Sequence, residues 1–366
     1  MPKQSKALVL DRPYTPPQLE DVVVDDPGPG EVRVRLAASG LCHTDLIWVR
    51  DAREWPVVLG HEGAGVVEMV GSGVSSVQVG DPVVISWRAA CGQCRQCLRG
   101  QAHLCEAVQH TAELRVRRAS GQPLHVLLNA GTFCEYAVVP AAAAIRVPPE
   151  LPMERAALIG CGVATGVGAA LYTAAVQPGD SVAVFGSGGV GLNVIQGARL
   201  ARAANIIAVD LAEPKLLMAR QFGATHTVCA AHDDPVAAVL ALTGGRGADH
   251  AFDVVGLPAV ADQALQTLAD GGVLTLVGNA ARDVTVSFHP RLLLSKQQTI
   301  RGCVYGSCRP PVDFPRLADW YLHGLLKLDE LVTGTIPLEQ LPAEFDKPPA
   351  PEGIRTVVRF PGRSLL

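Results

Sequence analysis

The stretch SVAVFGSGGVGLNVIQGARLARAANIIAVD, residues 181–210, determines how the second half of the chain folds. It opens with a continuous apolar run that ends at Phe185, and Gly186, Gly188 and Gly191 follow with the spacing G-x-G-x-x-G. The residues after Gly191 have the periodicity of an amphipathic helix. The motif alone is weak, but a strand before it and a helix after it are the context that a dinucleotide-binding turn requires.

A second predicted strand, Ile206 to Val209, ends at Asp210, nineteen residues past Gly191. The glycines make the tight turn and admit a pyrophosphate, which rests on the positive N-terminus of the helix. An acid at this strand end accepts both ribose hydroxyls and repels a 2′-phosphate, so Asp210 predicts NAD rather than NADP. The predicted cofactor contacts in the turn are Gly186, Gly188, Gly189, Val190 and Gly191.

Strands and helices continue to alternate after Asp210. Further strands are predicted at Ala224 to Cys229, His250 to Val255, Val273 to Val277 and Thr299 to Tyr305. Helices are predicted at Pro214 to Phe222, Pro235 to Leu242 and Pro258 to Leu268. This alternation is typical of the α/β class and predicts a doubly wound, six-strand parallel sheet.

The first part of the chain, Lys6 to about Pro148, has a different pattern. Short alternating runs are separated by Gly and Pro clusters, and the only helical signal is a turn after Thr44. The runs are Ala7 to Leu10, Glu31 to Leu36, Gly65 to Val70, Pro82 to Ser86 and Cys134 to Val139. We therefore expect a mainly antiparallel β domain, rejoined near the end of the chain by a strand at Arg355 to Phe360.

Composition limits the class of protein. A chain of 366 residues suits two domains, each with its own core. Its 48% hydrophobic content and net charge of −4 lack the basic surplus that nucleic acid requires. The N-terminus has no signal-peptide pattern and we expect no membrane span, so the predicted location is the cytoplasm. In that reducing compartment, ten cysteines point to metal rather than to disulfides.

Four cysteines are concentrated in CGQCRQCLRGQAHLC, residues 91–105. Cys91, Cys94, Cys97 and Cys105 have two, two and seven residues between them. Four thiolates saturate tetrahedral zinc and leave no open position, so this site is predicted to be structural. An iron–sulfur cluster and unligated thiols are the alternatives.

A second, incomplete set of metal donors lies nearer the N-terminus. Cys42 and His61 are nineteen residues apart, and each is close to a carboxylate, Asp45 or Glu62. A catalytic zinc keeps three protein ligands and an open fourth position, and nearby carboxylates orient the ligating imidazole. Cys161, between two glycines, is the predicted third ligand. The alternative is that Cys42 and Cys161 are buried thiols and His61 a core histidine.

Residues Thr111 to Asn129 are polar and irregular, with Arg115, Arg117 and Arg118 close together. Such a run is usually a solvated loop, although it could also face an anionic group of a substrate. The sequence does not decide between these.

Together, these motifs resemble the zinc-containing medium-chain alcohol dehydrogenases over nearly the whole chain. The resemblance points to the formaldehyde-dehydrogenase-like branch, particularly its mycothiol-dependent (S-nitrosomycothiol reductase) group, through WRAACGQCRQCLRG, LIGCGVATGVGAAL and GTFCEYAVV. It implies a GroES-like catalytic domain, residues 1–162 and 303–366, and a Rossmann NAD-binding domain, residues 163–302. It also implies one catalytic and one structural zinc ion per chain, and a homodimer or homotetramer.

The resemblance assigns roles to individual residues. Cys42, His61 and Cys161 would hold the catalytic zinc, with Glu62 behind it and Asp45 orienting His61. The remaining implied contacts are Thr44 with the alcohol proton, His43 and Arg355 with the pyrophosphate, Asp210 and Lys215 with the adenosine ribose, and Trp87 with the substrate. Thr165 and Val277 are further predicted cofactor contacts. As an aromatic side chain, Trp48 is also predicted to line the substrate pocket. A tryptophan is, however, more often part of a packed core than of a ligand pocket.

Two departures bear on the substrate. Many relatives have a histidine three residues after Thr44 that completes a proton relay, whereas this chain has Ile47. The segment Trp48 to Trp55 also differs from the thiol-adduct enzymes.

The expected activity is therefore an NAD-dependent zinc alcohol dehydrogenase for a primary, aromatic or allylic, alcohol. Alternatives are a thiol-dependent formaldehyde dehydrogenase or S-nitrosothiol reductase and, more remotely, a zinc- and NAD-binding protein without turnover.

Overall fold

A computed structural model describes residues 1–280, 284–347 and 352–361. The chain forms two compact units, one comprising Met1–Cys161 with Arg309–Leu366 and the other Gly162–Cys308. The second unit is thus inserted into the sequence of the first.

The first unit contains a small closed barrel and a larger sheet. Its strands before the insertion are β1 (Lys3–Leu10), β2 (Gln18–Val24), β3 (Glu31–Gly40), β4 (Val57–Val58), β5 (Glu62–Val70), β6 (Pro82–Ile85), β7 (Val116–Arg118), β8 (Pro123–Val126), β9 (Tyr136–Pro140) and β10 (Ala144–Arg146). Strands β1, β2, β7, β8 and β4 close the barrel. Most strand pairs are antiparallel, as the sequence predicts, with β4 and β8 parallel.

The chain returns to the first unit after the insertion. Two more strands, β17 (Val332–Pro337) and β18 (Arg355–Arg359), complete a seven-stranded sheet in the order β10-β6-β5-β3-β18-β17, with β9 also paired to β3. The helices of this unit are α1 (His43–Asp51), α2 (Arg95–Leu98), α3 (Met153–Leu158), α10 (Pro310–Leu322) and α11 (Leu341–Glu344). Leu8, Val34, Ile85 and Phe133 belong to one buried apolar core, and barrel residues such as Ala7, Val22 and Leu124 form a second.

For residues 111–129 the sequence left a solvated loop and a segment facing an anionic substrate group as alternatives, and the structure shows that the segment is not all loop. Strands β7 and β8 lie in this segment, and Arg115, Arg117 and Arg118 are paired with carboxylates of the same unit. The distances are 2.8 Å from Arg115 Nε to Glu31, 3.2 Å from Arg117 Nε to Asp25 and 2.7 Å from Arg118 Nε to Glu20. Through these ion pairs, the arginines stabilise the barrel.

The second unit has the predicted six-stranded parallel sheet. Its strands are β11 (Ser181–Phe185), β12 (Asn205–Asp210), β13 (His226–Cys229), β14 (Ala248–Asp253), β15 (Leu268–Leu276) and β16 (Thr299–Gly302), in the order β13-β12-β11-β14-β15-β16. Every residue of β11 is buried, as expected for a central parallel strand with helices on both faces. The order reverses beside β11, where doubly wound sheets bind ligands.

Local sequence accounts for the ends of several helices. The helices of the second unit are α4 (Ala164–Gly168), α5 (Gly189–Leu200), α6 (Glu213–Phe222), α7 (Pro235–Leu242), α8 (Pro258–Gln266) and α9 (Pro290–Lys296). Asp234 caps α7 by accepting the Val236 N–H at 2.9 Å, and Pro235 fits the first helical position. Gly223 ends α6 with a φ of 117°, which glycine adopts without steric cost.

A helix of 21 residues, Met153–Thr173, connects the two units. Within it, α3 is followed by a wider π-helical turn at Ile159–Val163, and α4 is followed by a second one at Ala169–Thr173. By length and composition alone this helix could cross a membrane, but 78% of its most apolar stretch is buried inside the protein, as in the core helix of a soluble protein.

Candidate metal and dinucleotide sites

Four metal-binding side chains converge in the first unit. One ligand atom from each of Cys42, His61, Glu62 and Cys161 lies within 4.8 Å of all the others. Cys42 immediately precedes α1, while His61 and Glu62 are at the start of β5. Three distant parts of the sequence therefore come together at one point.

Asp45 connects two of these residues. Its Oδ1 lies 3.0 Å from His61 Nδ1, and its Oδ2 accepts the Cys42 N–H at 2.9 Å. Both Asp45 and His61 are fully buried. A proton on Nδ1 facing the carboxylate leaves the Nε2 lone pair free for a metal, which fits the prediction that Asp45 orients His61.

Glu62 has a partner that the sequence did not suggest. Arg355, on β18, donates from Nη2 to Glu62 Oε1 at 3.2 Å and from Nη1 to the Leu41 carbonyl at 3.3 Å. Gly40 makes room for this carboxylate, because a Cβ there would lie 2.2 Å from Glu62 Oε2. Arg355 was predicted near the pyrophosphate; its observed contacts place it beside Glu62.

Burial and neighbouring charge shape the ionisation of this cluster. Hydrogen bonding to Cys161, with help from the Arg355 guanidinium, holds the pKa of Cys42 well below its usual value, and the pKa of Cys161 is correspondingly raised. Burial tends to lower the pKa of His61, but attraction to the Asp45 carboxylate raises it by more. The pKa of His61 therefore lies well above its usual value. Burial raises the pKa of Glu62 to about 8, against the opposing effect of Arg355.

The cluster fits a zinc ion. His61 Nε2 and Glu62 Oε2 are buried and have no hydrogen-bond partner among the described residues, and an unsatisfied buried polar atom is costly. Two sulfurs and one imidazole nitrogen are a donor set that zinc prefers in catalytic sites. A cation here would give the unpaired nitrogen a partner and favour the thiolate form of both cysteines.

The local backbone explains how Cys161 reaches the cluster. It lies in the π-helical turn Ile159–Val163, and such turns are frequent at functional sites. A Cβ on the preceding Gly160 would lie 2.9 Å from the Ile85 carbonyl, so the helix passes very close to β6. The flanking glycine was visible in the sequence, whereas the π-helical turn had no sequence signal that we recognised.

The four cysteines of residues 91–105 form the second cluster. Their sulfurs lie within 4.8 Å of one another, and Cys94 Sγ is 3.9 Å from Cys105 Sγ. Ligands of tetrahedral zinc with Zn–S bonds of about 2.3 Å are about 3.8 Å apart, which matches this distance.

Backbone N–H groups surround these sulfurs. The N–H of Cys94 donates to Cys91 Sγ at 3.3 Å, and the N–H of Cys97 donates to Cys94 Sγ at 3.5 Å and thereby caps α2. Backbone hydrogen bonding lowers the pKa of Cys94 to about 6, which favours the thiolate that a metal needs. The donor set therefore fits a structural zinc.

The glycine-rich turn of the second unit has the geometry of a dinucleotide site. Gly186 has a φ of 98°, and a Cβ on Gly191 would lie only 1.8 Å from the Gly186 carbonyl, so both positions need glycine. A Cβ on Gly188 would have no atom within 4 Å, which leaves open space at the N-terminus of α5. A pyrophosphate approaching this turn would find exposed N–H groups and the positive end of the helix.

Asp210 ends β12 beside that turn. Its Oδ2 accepts the Ser187 N–H at 2.7 Å, and its Oδ1 accepts the Ala212 N–H at 3.0 Å. The carboxylate is partly exposed and so retains lone pairs for a ribose. It therefore lies where the sequence placed it, at the end of the second strand.

The other predicted residues are distributed over the two units. In the first unit, His43 is exposed and Thr44 partly buried at the start of α1, while Trp48 packs partly against the core and Trp87 is partly buried. In the second unit, Thr165 lies in α4, Lys215 in the first turn of α6, and Val277 just after β15, all of them partly exposed.

Comparison with known families gives matches in both units. Residues 28–149 match the alcohol dehydrogenase GroES-like domain, and residues 189–323 match the zinc-binding dehydrogenase domain.

Individual relatives cover almost the entire chain. S-(hydroxymethyl)glutathione dehydrogenase of Synechocystis is 38% identical over 98% of this chain and 100% of its own length. Two crystal structures are also similar. An alcohol dehydrogenase zinc-binding domain protein from Burkholderia ambifaria has a TM-score of 0.93 and 36% identity, covering 99% of this chain and 100% of the other. Benzyl alcohol dehydrogenase from Acinetobacter calcoaceticus has a TM-score of 0.89 and 30% identity, covering 98% and 100%.

Proposed function

Because this chain belongs to the zinc-containing medium-chain alcohol dehydrogenase family, we propose that it transfers a hydride between a primary alcohol and NAD at the cluster of Cys42, His61 and Cys161. The family is one of NAD-dependent zinc enzymes, and the formaldehyde-dehydrogenase-like branch expected from the sequence is borne out. The observation that carries the site is the convergence of these three ligands around an unpaired His61 Nε2.

The reaction needs little chemistry from the protein itself. When bound, zinc would provide a Lewis acid for the alcohol oxygen and NAD a hydride acceptor. Cys42, His61 and Cys161 would hold the metal, while Asp45 fixes the orientation of the His61 ring. Glu62, neutral or ionised, stays behind the ligands, where Arg355 holds one of its oxygens.

Thr44 is the proposed acceptor of the alcohol proton. Its position in the first turn of α1, two residues after Cys42, supports this role. Since Ile47 occupies the position of the usual relay histidine, the proton would leave through the cofactor ribose and water, or through a different base. His43, Lys215, Thr165 and Val277 remain proposed cofactor contacts, as does Arg355 at the pyrophosphate.

The proposed substrate is an aromatic or allylic primary alcohol. Trp48 and Trp87 would form apolar walls, and the similarity to benzyl alcohol dehydrogenase supports such a pocket. A formaldehyde adduct of a thiol is the second candidate, because curated relatives at 38% identity are named for the glutathione adduct. The mycothiol expected from the sequence is one member of that second class.

A substrate screen separates these candidates. Benzyl, allylic and short aliphatic alcohols, and formaldehyde with glutathione or mycothiol, would each be supplied with NAD while NADH absorbance is followed. Highest kcat/KM with benzyl or allylic alcohols is the expected result. Activity only with a thiol adduct would select the second candidate, and a zinc-loaded protein inactive with all of them would contradict the proposal.

A homo-oligomer is the proposed assembly, and the second unit offers a surface for it. Strand β16 is at the edge of the sheet and is paired on one side only among the described residues. Unpaired edge strands tend to pair with another chain. Six large apolar residues in and around the neighbouring segments are exposed: Val255, Leu257, Val286, Phe288, Leu294 and Val304. In the proposed assembly, β16 of one chain would pair with β16 of a second copy of the same chain.

The two units are assigned complementary roles. The first would be the catalytic domain and the second the NAD-binding domain, and the limits 1–162 with 303–366 and 163–302 remain a prediction. A cytoplasmic location likewise remains a proposal, supported by the reducing chemistry that free cysteines require.

A further inference from the structure

The turn after β16 has an unusual backbone. Tyr305, Gly306 and Ser307 are consecutive residues with φ of 54°, 61° and 54°. Only glycine enters this left-handed region without steric cost, and two of the three residues carry a side chain. Such a conformation persists only where surrounding contacts hold it, and it is concentrated at functional sites.

The turn lies at the edge of the sheet where ligands bind. Strand β16 runs parallel to β15 and ends at Gly302, and the Cys303 N–H donates to the Leu276 carbonyl at 2.9 Å. The turn therefore extends from the carboxyl end of the parallel strands. The glycine-rich turn after β11 and Val277 after β15 lie at this same edge.

The backbone of the turn packs directly on α4. A Cβ on Gly168 would lie 2.3 Å from the Gly306 carbonyl, and one on Gly306 would lie 2.3 Å from the Ala164 carbonyl. Cys308 Sγ also donates to the Ala164 carbonyl at 3.2 Å. One face of the turn is thus fixed by close backbone contact.

A buried threonine, Thr173, contacts the turn and the residues just before it. Thr173 Oγ1 is 2.8 Å from Ser307 Oγ and 3.4 Å from Cys303 Sγ, and the Thr173 carbonyl accepts from Arg301 Nη1 at 2.5 Å. Thr173 is only 4% exposed and lies in the second π-helical turn, Ala169–Thr173. Its hydroxyl contacts Ser307, the last of the three left-handed residues, and Cys303, which precedes them.

We propose that Thr173 is a positioning residue, whose hydroxyl holds the turn Tyr305–Ser307 in the left-handed form that binds the nicotinamide cofactor. The inference rests on the proposed NAD site at this edge of the sheet. If the bound form of the turn is only partly populated, the apparent dissociation constant rises in inverse proportion to that population. Thr173 would keep the population high in the absence of cofactor.

The first measurement is the dissociation constant of NADH, from fluorescence titration of the full chain. Thr173→Val keeps the shape and removes the hydroxyl, and we expect it to raise this constant about fivefold or more. Thr267→Val is the matched control. Thr267 is also buried, but its hydroxyl bonds the Ala264 carbonyl and its own carbonyl accepts from Ala248 at the opposite, amino end of β14.

Two variants at Ser307 test whether NADH binding depends on keeping residue 307 in the left-handed conformation. They test the role of Thr173 even if Thr173→Val fails to fold. Both Ser307→Ala and Ser307→Gly lose the bond to Thr173, but only glycine adopts the left-handed φ without cost. We expect weaker NADH binding for alanine and near-wild-type binding for glycine, with thermal unfolding confirming that both are folded. Equal binding by the two variants would overturn the role of Thr173. Failure of the wild-type chain to bind NADH would instead overturn the proposed function.

Discussion

At the scale of single residues, Cys161 is the ligand whose removal separates metal binding from cofactor binding. Cys161→Ala should lower kcat/KM by more than about 100-fold, because the metal loses one of its three protein ligands. Bound zinc should fall from two ions per chain to about one by metal analysis, while NADH binding stays unchanged. Cys134→Ala is the control, since Cys134 is a buried thiol of the first unit outside both clusters. If Cys161→Ala keeps its activity within about tenfold of the wild-type value, Cys161 is a buried core thiol and not a zinc ligand.

Asp210 is the residue on which cofactor choice depends. Asp210→Asn keeps an acceptor for the Ser187 N–H but removes the charge that repels a 2′-phosphate. Preference for NAD over NADP should fall by about tenfold or more, since the discrimination is roughly 1–3 kcal/mol. Steady-state kinetics with both cofactors measure it, and Asp234→Asn, at the exposed cap of α7, should leave the ratio unchanged. A wild-type enzyme that uses both cofactors equally would contradict the assignment.

Spacing predicted the four cysteines of residues 91–105 and the glycine-rich turn, because these residues come in short motifs. Cys161 was predicted instead from its flanking glycines and from the incomplete pair of Cys42 and His61. The pairing of Glu62 with Arg355 could not be predicted in this way. The two residues are 293 positions apart, and only the pairing of β18 with β3 brings them together.

At the scale of elements, the segment 91–105 depends on its metal more than on packing. Leu98, its largest apolar residue in α2, is 76% exposed, so little apolar burial supports this helix. Cys94→Ser should lower stability by about 3 kcal/mol or more, a fall in Tm of about 6–12 °C for a domain of this size. Calorimetry and metal analysis test this. Gln93→Ser changes an exposed neighbour that is not a ligand and should have no effect; a soluble, fully active and equally stable Cys94→Ser variant would refute the structural role.

Elements with a strong local signal were predicted well. Helix α7 has the predicted limits because Asp234 and Pro235 mark its start and because its apolar run is short. The barrel strands β7 and β8 were missed, since three arginines in a short run resemble a solvated loop. Their carboxylate partners, at positions 20, 25 and 31, come from distant strands and turns and were invisible to local pattern analysis.

At the scale of the whole molecule, the edge strand β16 predicts association with a second copy. The double variant Phe288→Glu with Leu294→Glu places charges on two residues that are 47% and 83% exposed. Light scattering should show the wild-type chain as a dimer or tetramer and this variant as a smaller species, because buried like charges repel across the interface. Leu217→Glu, at a 63% exposed position elsewhere in the same unit, is the control. A wild-type chain that is monomeric by light scattering would contradict the proposed homo-oligomer.

The insertion of the second unit into the first also sets an order of synthesis. Cys42, His61 and Cys161 are all translated before residue 162, whereas Arg355 follows the entire inserted unit, 194 positions after Cys161. At about 5–20 residues per second, Arg355 is synthesised about 10–40 s after Cys161, the last of the three ligands. Until β18 is made, Glu62 lacks the hydrogen bond from Arg355 that it has in the folded chain.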